Sequence, residues 1–144
     1  MAIDLNSRFK FEHVKEFSDG ELIFNEGDQG RELYIISEGE VVIKKVTEKG
    51  TVELAHFSRG DFFGDMALLQ GIPRFASAFS KGKSKILIIQ PGGFLLKIRR
   101  DPTFAFEMLQ QLSLRVKNSS ERFIEAINKH NLNEELMEHL KEQK

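Results

Sequence analysis

The hydrophobic period of this chain changes once, at Pro91-Gly92-Gly93, and that change confines the fold to a β domain followed by helices. Before it, the segments "ELIFNEGDQG", "ELYIISEGEVVIKKV", "TVELAHFSRGD" and "SAFSKGKSKILIIQPGG" read as short strands. Turn signals at Gly27, Gly30, Gly39, Gly50, Gly60 and Gly82 recur at the spacing of a small sandwich or barrel. Val52–His56 alternates in part, whereas Ile86–Ile89 is continuously apolar and predicts a strand covered on both faces. The 144 residues amount to one domain, enough to bury roughly 70% of the surface that the unfolded chain exposes.

Beyond Gly93 the period is helical. Phe94–Ile98 predicts a helical turn or a little more, and Asp101-Pro102 supplies an N-cap followed by proline at the first helical position. Leu109, Leu112, Val116, Ser119, Phe123, Ala126 and His130 then recur at 3-4 spacing, the seam of a two-stranded coiled coil. With Phe106, Ile124 and Ile127 beside it, the stripe is too wide for one partner. One side is expected on the β domain and the other on a second copy of the helix. From Pro102 to about His130 such a helix runs roughly 40 Å. Asn131-Leu-Asn-Glu134 predicts a stop and restart, leaving a last short helix with Leu136, Met137 and Leu140.

Several function classes are disfavoured. With 21 basic and 22 acidic side chains the net charge is −1, which gives no general steering toward nucleic acid or an anionic membrane. The basic clusters Lys81–Lys85 and Lys44-Lys45 lack interleaved aromatics and read as solvated hairpin ends. There is no cysteine, the N-terminal dozen is too charged for a signal peptide, and no apolar run approaches a membrane span, so a cytoplasmic chain with no membrane association is expected. His13, His56, His130 and His139 are scattered singly, and no nucleophile-base pairing is visible; neither a metal site nor catalysis is expected.

The stretch "DFFGDMALLQGIPRFASA", Asp61 to Ala78, fits neither a core strand nor an ordinary loop. Gly64-Asp65 followed by Met-Ala-Leu-Leu69 predicts a one-turn helix opened by a glycine, with free N–H groups at its start. Gly71-Ile-Pro73 turns the chain back so that Arg74 can point to that helix end. One arginine and one helix end suit a single negative charge and are too few for a triphosphate.

This stretch resembles the phosphate-binding cassette of the cyclic nucleotide-binding domain family, and the chain as a whole resembles the sensor domain of its catabolite activator (cyclic AMP receptor) branch. "DGELIFNEGDQGRELYIISEGEVVI" is similar to the family's early strands, and "DPTF" to the opening of its terminal helix. The resemblance implies a mainly β fold with C-terminal helices. Residues 1–100 would form a β-roll, a double-stranded β-helix jelly roll with its cassette at 62–78, and residues 101–144 a long dimerisation helix and a short terminal one. It implies cyclic AMP, or a related cyclic nucleotide, as ligand. Arg74 would pair with the cyclic phosphate, the Ala67 and Ala76 amides would add hydrogen bonds, and Gly64 and Asp65 would hold the ribose 2′-hydroxyl. "LRVKNSSERF" resembles the dimer helix of that branch and puts Ser119 and Ser120 where hydroxyls contact the adenine. A regulatory homodimer through 102–130 follows. The tail after His130 is too short for the DNA reader of that branch, so no DNA-binding domain is expected in this chain.

Two residues depart from the family pattern. The acid is usually glutamate, and Asp65 reaches roughly 1.5 Å less far. The residue after the arginine is usually small, and here it is Phe75, which could stack on the base, crowd it, or fill the pocket. The last case describes a degenerate domain that binds a protein or another anion instead.

Overall fold

The computed structural model describes residues 2, 3, 5 and 13–143. Six strands, β1 (His13–Phe17), β2 (Leu22–Phe24), β3 (Leu33–Thr47), β4 (Gly50–Phe57), β5 (Phe62–Phe63) and β6 (Ser77–Ile89), are joined by the short helix α1 (Asp65–Gln70). They precede α2 (Pro91–Arg100) and α3 (Pro102–Glu142). The sheet is antiparallel in the order β1-β6-β3-β4; β2 also pairs with β6 and β5 with β3, and the sheet does not close. The chain is thus an antiparallel β domain followed by C-terminal helices, as its two hydrophobic periods predict.

Burial explains the strands that do not alternate. Leu33–Ile36 of β3 and Ile86, Leu87 and Ile89 of β6 are all buried, so both faces of these central strands are covered. Phe17, Tyr34, Ile36, Val41, Phe63, Ala78 and Ile86 form the core, with Tyr34 stacked on Phe63 at 5.1 Å between ring centroids.

Two expected turns are not turns. Gly39 and Gly82 lie inside β3 and β6, which run on through them. Between the pairs Glu38↔Lys85 and Glu40↔Lys81, β3 advances two residues and β6 four, so the extra residues of β6 are absorbed as a bulge. A side chain at Gly39, whose φ is 92°, would collide with the Lys83 carbonyl oxygen. Lys81–Lys85 is therefore an irregular stretch of strand and not a hairpin end. Lys44 and Lys45 also belong to β3, ahead of the hairpin that pairs Thr47 with Gly50.

By its contacts the chain divides into two compact units, residues 1–108 and 109–144. In the first, Pro91 opens α2, earlier than the Phe94 start that the apolar pattern predicts, and Lys97, Arg99 and Arg100 close it, complementing the helix dipole. Asp101 caps α3 as predicted: its Oδ1 accepts the Phe104 N–H at 3.2 Å. Phe104 is fully buried and meets Phe94 edge to face at 6.1 Å.

The second unit consists of the rest of α3. The predicted stop at Asn131–Glu134 does not occur, and there is no separate terminal helix; α3 is continuous to Glu142. His130 Nε2 and Glu134 Oε1, one turn apart and 3.1 Å from each other, span the expected break. Asparagine costs an exposed helix only up to about 0.7 kcal/mol. Leu109, Val116, Phe123, Ile124, Leu132, Leu136, Met137 and Leu140 are all exposed. Among the described residues, no helix is long and apolar enough to cross a membrane.

Candidate ligand site

The cassette begins within the sheet, at β5, and returns to it at β6. Phe62 and Phe63 are buried as β5, opposite Ile35 and Tyr34 of β3, which is why an otherwise loop-like segment needs two large apolar residues. Gly64 follows in the left-handed region, with φ 82°, and starts α1. Ala67 and Leu68 face inward. Gly71, also left-handed, closes the helix by donating its N–H to the Ala67 carbonyl at 3.0 Å. Arg31 Nη2 donates to the Leu68 carbonyl at 3.0 Å, satisfying one of the acceptors left over at the helix end.

Arg74 is drawn into this frame by its own backbone. Its N–H donates to the Asp28 carbonyl and its carbonyl accepts the Gly27 N–H, both at 2.8 Å. The guanidinium is only 3% exposed, an uncommon place for a cation. Nη1 donates to the Gly64 carbonyl at 3.0 Å, while Nη2 donates to the Glu32 carbonyl at 3.0 Å and to Glu32 Oε2 at 3.1 Å. The guanidinium carbon lies 4.3 Å from the centre of the Phe24 ring and 5.4 Å from that of Tyr34. The buried Nε has no hydrogen-bond partner among the described residues.

Two glycines make room for this cation. A Cβ on Gly64 would stand 2.8 Å from Nη1, and one on Gly30 would stand 3.2 Å from Nη2 and 2.8 Å from Glu32 Oε2. Gly30 is thus needed for space, since its φ is not positive. Burial pushes the Tyr34 phenol above its usual range, against the opposing pull of the Arg74 guanidinium. Tyr34 therefore remains neutral at working pH.

Just past Arg74, Phe75 is 46% exposed, whereas Arg74 itself is buried. Lys45 Nζ lies 4.0 Å from the centre of that ring, donates to the Phe75 carbonyl at 2.7 Å, and meets Glu26 Oε2 at 3.4 Å. Glu26 in turn accepts the Val46 N–H at 3.2 Å and donates its own N–H to Ser77 Oγ at 2.8 Å. Lys45 is thus bound to the cassette and is not the solvated hairpin residue that its sequence suggests.

Gly64, Asp65, Ala67, Arg74, Phe75 and Ala76 fall in one continuous segment of the first unit. Ala67 and Ala76 are buried and Asp65 is half-buried. Ser119 and Ser120 belong to the second unit, exposed on α3. Sequence reasoning missed Glu32, Phe24, Tyr34 and Lys45. Glu32 is 42 residues from Arg74, and the one available signal was an acid directly ahead of the buried run Leu33–Ile36. Among the described residues, no group of three or more histidine, aspartate or glutamate side chains could hold a metal ion.

This geometry has counterparts in known proteins. The family profile described as "Cyclic nucleotide-binding domain" matches residues 14–101. A cAMP-dependent protein kinase regulatory subunit of Mycosarcoma maydis is 38% identical over 69 residues, which are 48% of this chain and 13% of that protein. Among solved structures, the Thermus thermophilus catabolite activator protein aligns with a TM-score of 0.72 at 27% identity, over 81% of this chain and 55% of the other. The regulatory domain of Toxoplasma gondii PKA, crystallised with cAMP, aligns with a TM-score of 0.58 at 25% identity, over 72% of this chain and 39% of the other. The chain spans only a fraction of the length of these relatives. With a profile match over more than half its residues and the cassette built around a buried Arg74, the chain belongs to the cyclic nucleotide-binding domain family.

Proposed function

We propose that this chain is a non-catalytic regulatory sensor that binds cyclic AMP in the cassette at 62–78 and passes the binding event to α3. The observation that carries the reading is Arg74: a buried cation fixed by its backbone and by two carbonyls, with one carboxylate neighbour and an Nε–H that no described residue takes up. A single negative charge is what such a site can accept. In this reading Arg74 pairs with the cyclic phosphate, the Ala67 and Ala76 amides add to it, and Gly64 and Asp65 take the ribose hydroxyl. A carboxylate there repels phosphate and accepts from a hydroxyl, which sets the ligand's direction. The cAMP-bound state of the Toxoplasma gondii neighbour and the kinase regulatory subunits among the relatives favour cyclic AMP.

Signalling by α3 is proposed from its surface. Leu109, Val116 and Phe123 of the seam are each more than 60% exposed, a stripe that a parallel homodimer would cover. Because α3 continues past His130, Asn133, Met137 and Leu140 carry the same 3-4 spacing onward. A parallel pair brings Ser119 and Ser120 of both copies near the dimer axis, where they can serve as adenine contacts.

Calorimetry against cyclic AMP, cyclic GMP and ordinary nucleotides tests the reading. Cyclic AMP should bind most tightly, and Arg74→Ala should cost about 2 to 5 kcal/mol, roughly 30-fold or more. Cyclic GMP should bind more weakly, since Phe75 stands where cyclic-GMP-preferring relatives often have threonine. Absence of binding at high micromolar ligand would transfer the fold to the interaction-module reading, and unchanged affinity in Arg74→Ala would remove the cassette assignment.

A further inference from the structure

Lys45 lies on β3, outside the cassette, and yet it holds the peptide that follows Arg74-Phe75 within it. Its ammonium donates to the Phe75 carbonyl at 2.7 Å and is itself fixed by Glu26 at 3.4 Å. Glu26 is held from two sides, accepting the Val46 N–H with its other oxygen and donating its N–H to Ser77 Oγ, which donates to Asn25 Oδ1 at 2.9 Å. The whole set therefore brackets the Phe75–Ala76 peptide between β3 and the turn after β2. No cis peptide bond occurs among the described residues, so in this peptide the carbonyl and the N–H point in opposite directions. A cation on the oxygen side directs the Ala76 N–H away from Lys45 and draws electron density from that N–H, making it a stronger donor.

We propose that Lys45 is a positioning residue for anion binding: it orients and polarises the Phe75–Ala76 peptide so that the Ala76 amide is presented as a phosphate donor. The inference rests on the cyclic-phosphate reading of the cassette and adds to it a residue from outside the motif. The same ammonium holds the exposed Phe75 ring at 4.0 Å, so the ring and the peptide are set by one side chain. The phosphate is common to all cyclic nucleotides, so the effect of Lys45 is independent of the base.

The experiment compares Lys45→Met and Lys45→Arg with wild type in two readouts. In the free protein, the Ala76 amide resonance should move in Lys45→Met and return toward its wild-type position in Lys45→Arg, which keeps the charge. In titrations, Lys45→Met should lose about tenfold in affinity, equally for cyclic AMP and cyclic GMP, and Lys45→Arg should recover most of it. An unmoved Ala76 resonance in Lys45→Met overturns the proposal whether or not the protein binds nucleotide. A shifted resonance with unchanged affinity also overturns it, as does a loss confined to one base, which would place the effect in the Phe75 ring. If wild type binds no cyclic nucleotide, the cassette reading fails, and the free-protein resonance still decides whether Lys45 orients this peptide.

Discussion

The cassette and the far end of α3 each carry side chains that are out of place for their chemistry: a cation almost wholly buried, and phenylalanine in water. Arg74 is 3% exposed and Phe123 is 67% exposed. The first is resolved inside the chain by two carbonyls, Glu32 and two aromatic rings. The second has no cover in its own unit. The buried charge with such a shell is where the ligand site is proposed, whereas an uncovered apolar stripe asks for another macromolecule. The two regions thus divide the proposed work, one binding and one transmitting.

The comparison breaks most visibly at the seam. Replacing Val116 and Phe123 by glutamate puts unpaired charges into the proposed dimer interface, each costing several kcal/mol if buried. Light scattering should then give a monomer where wild type gives a dimer, while the β unit keeps its circular dichroism. If the serines reach across the dimer, these monomers should also bind cyclic AMP more weakly. A wild type that is already monomeric would remove the helix from the account.

A smaller but sharper contrast comes from truncating one phenylalanine in each region. Phe62→Ala, in the fully buried pair of β5, should lower the unfolding free energy by about 3 to 5 kcal/mol. Phe123→Ala should change the stability of an isolated chain by less than about 0.5 kcal/mol while weakening dimerisation. Chemical denaturation at low and high protein concentration separates the two. Equal losses at low concentration would mean that Phe123 is packed within the chain.

The last contrast, smaller than the loss at Phe62, concerns Phe75. The alternatives for its exposed ring are stacking on the base, crowding of it and filling of the pocket. Stacking predicts that Phe75→Ala costs about 1 to 3 kcal/mol of cyclic AMP affinity, whereas crowding or filling predicts tighter binding. A titration with no change would place the ring outside the site.

How much of this was legible in the sequence depends on where each partner lies along the chain. The cassette could be read because its residues are consecutive: Gly64, Asp65, Arg74 and Phe75 report a one-turn helix, a reversal and a cation within a dozen positions. The shell of Arg74 could not, because Phe24, Glu32 and Tyr34 arrive through strand pairing between distant segments, and no local spacing encodes that. Lys45 was misread for the same reason, as its carbonyl partner is 30 residues away. Gly39 and Gly82 carry ordinary turn signals, and only their cross-strand neighbours distinguish a bulge within a long strand from a turn between two. The overextended α3 shows the opposite failure. Asn131 and Asn133 look like a stop, but an exposed helix loses too little at those positions for a local signal to end it.

The central claim, that the cassette receives the cyclic phosphate, is tested most directly by titrating uniformly nitrogen-labelled wild-type protein with cyclic AMP and following its amide resonances. Saturable shifts at one ligand per chain, largest at Gly64, Asp65, Ala67, Arg74 and Ala76, are the predicted result. Saturable shifts centred elsewhere, for example on the cleft lined by Glu16, Ser18, Glu38 and Lys83, or no saturable shifts at all, would contradict it.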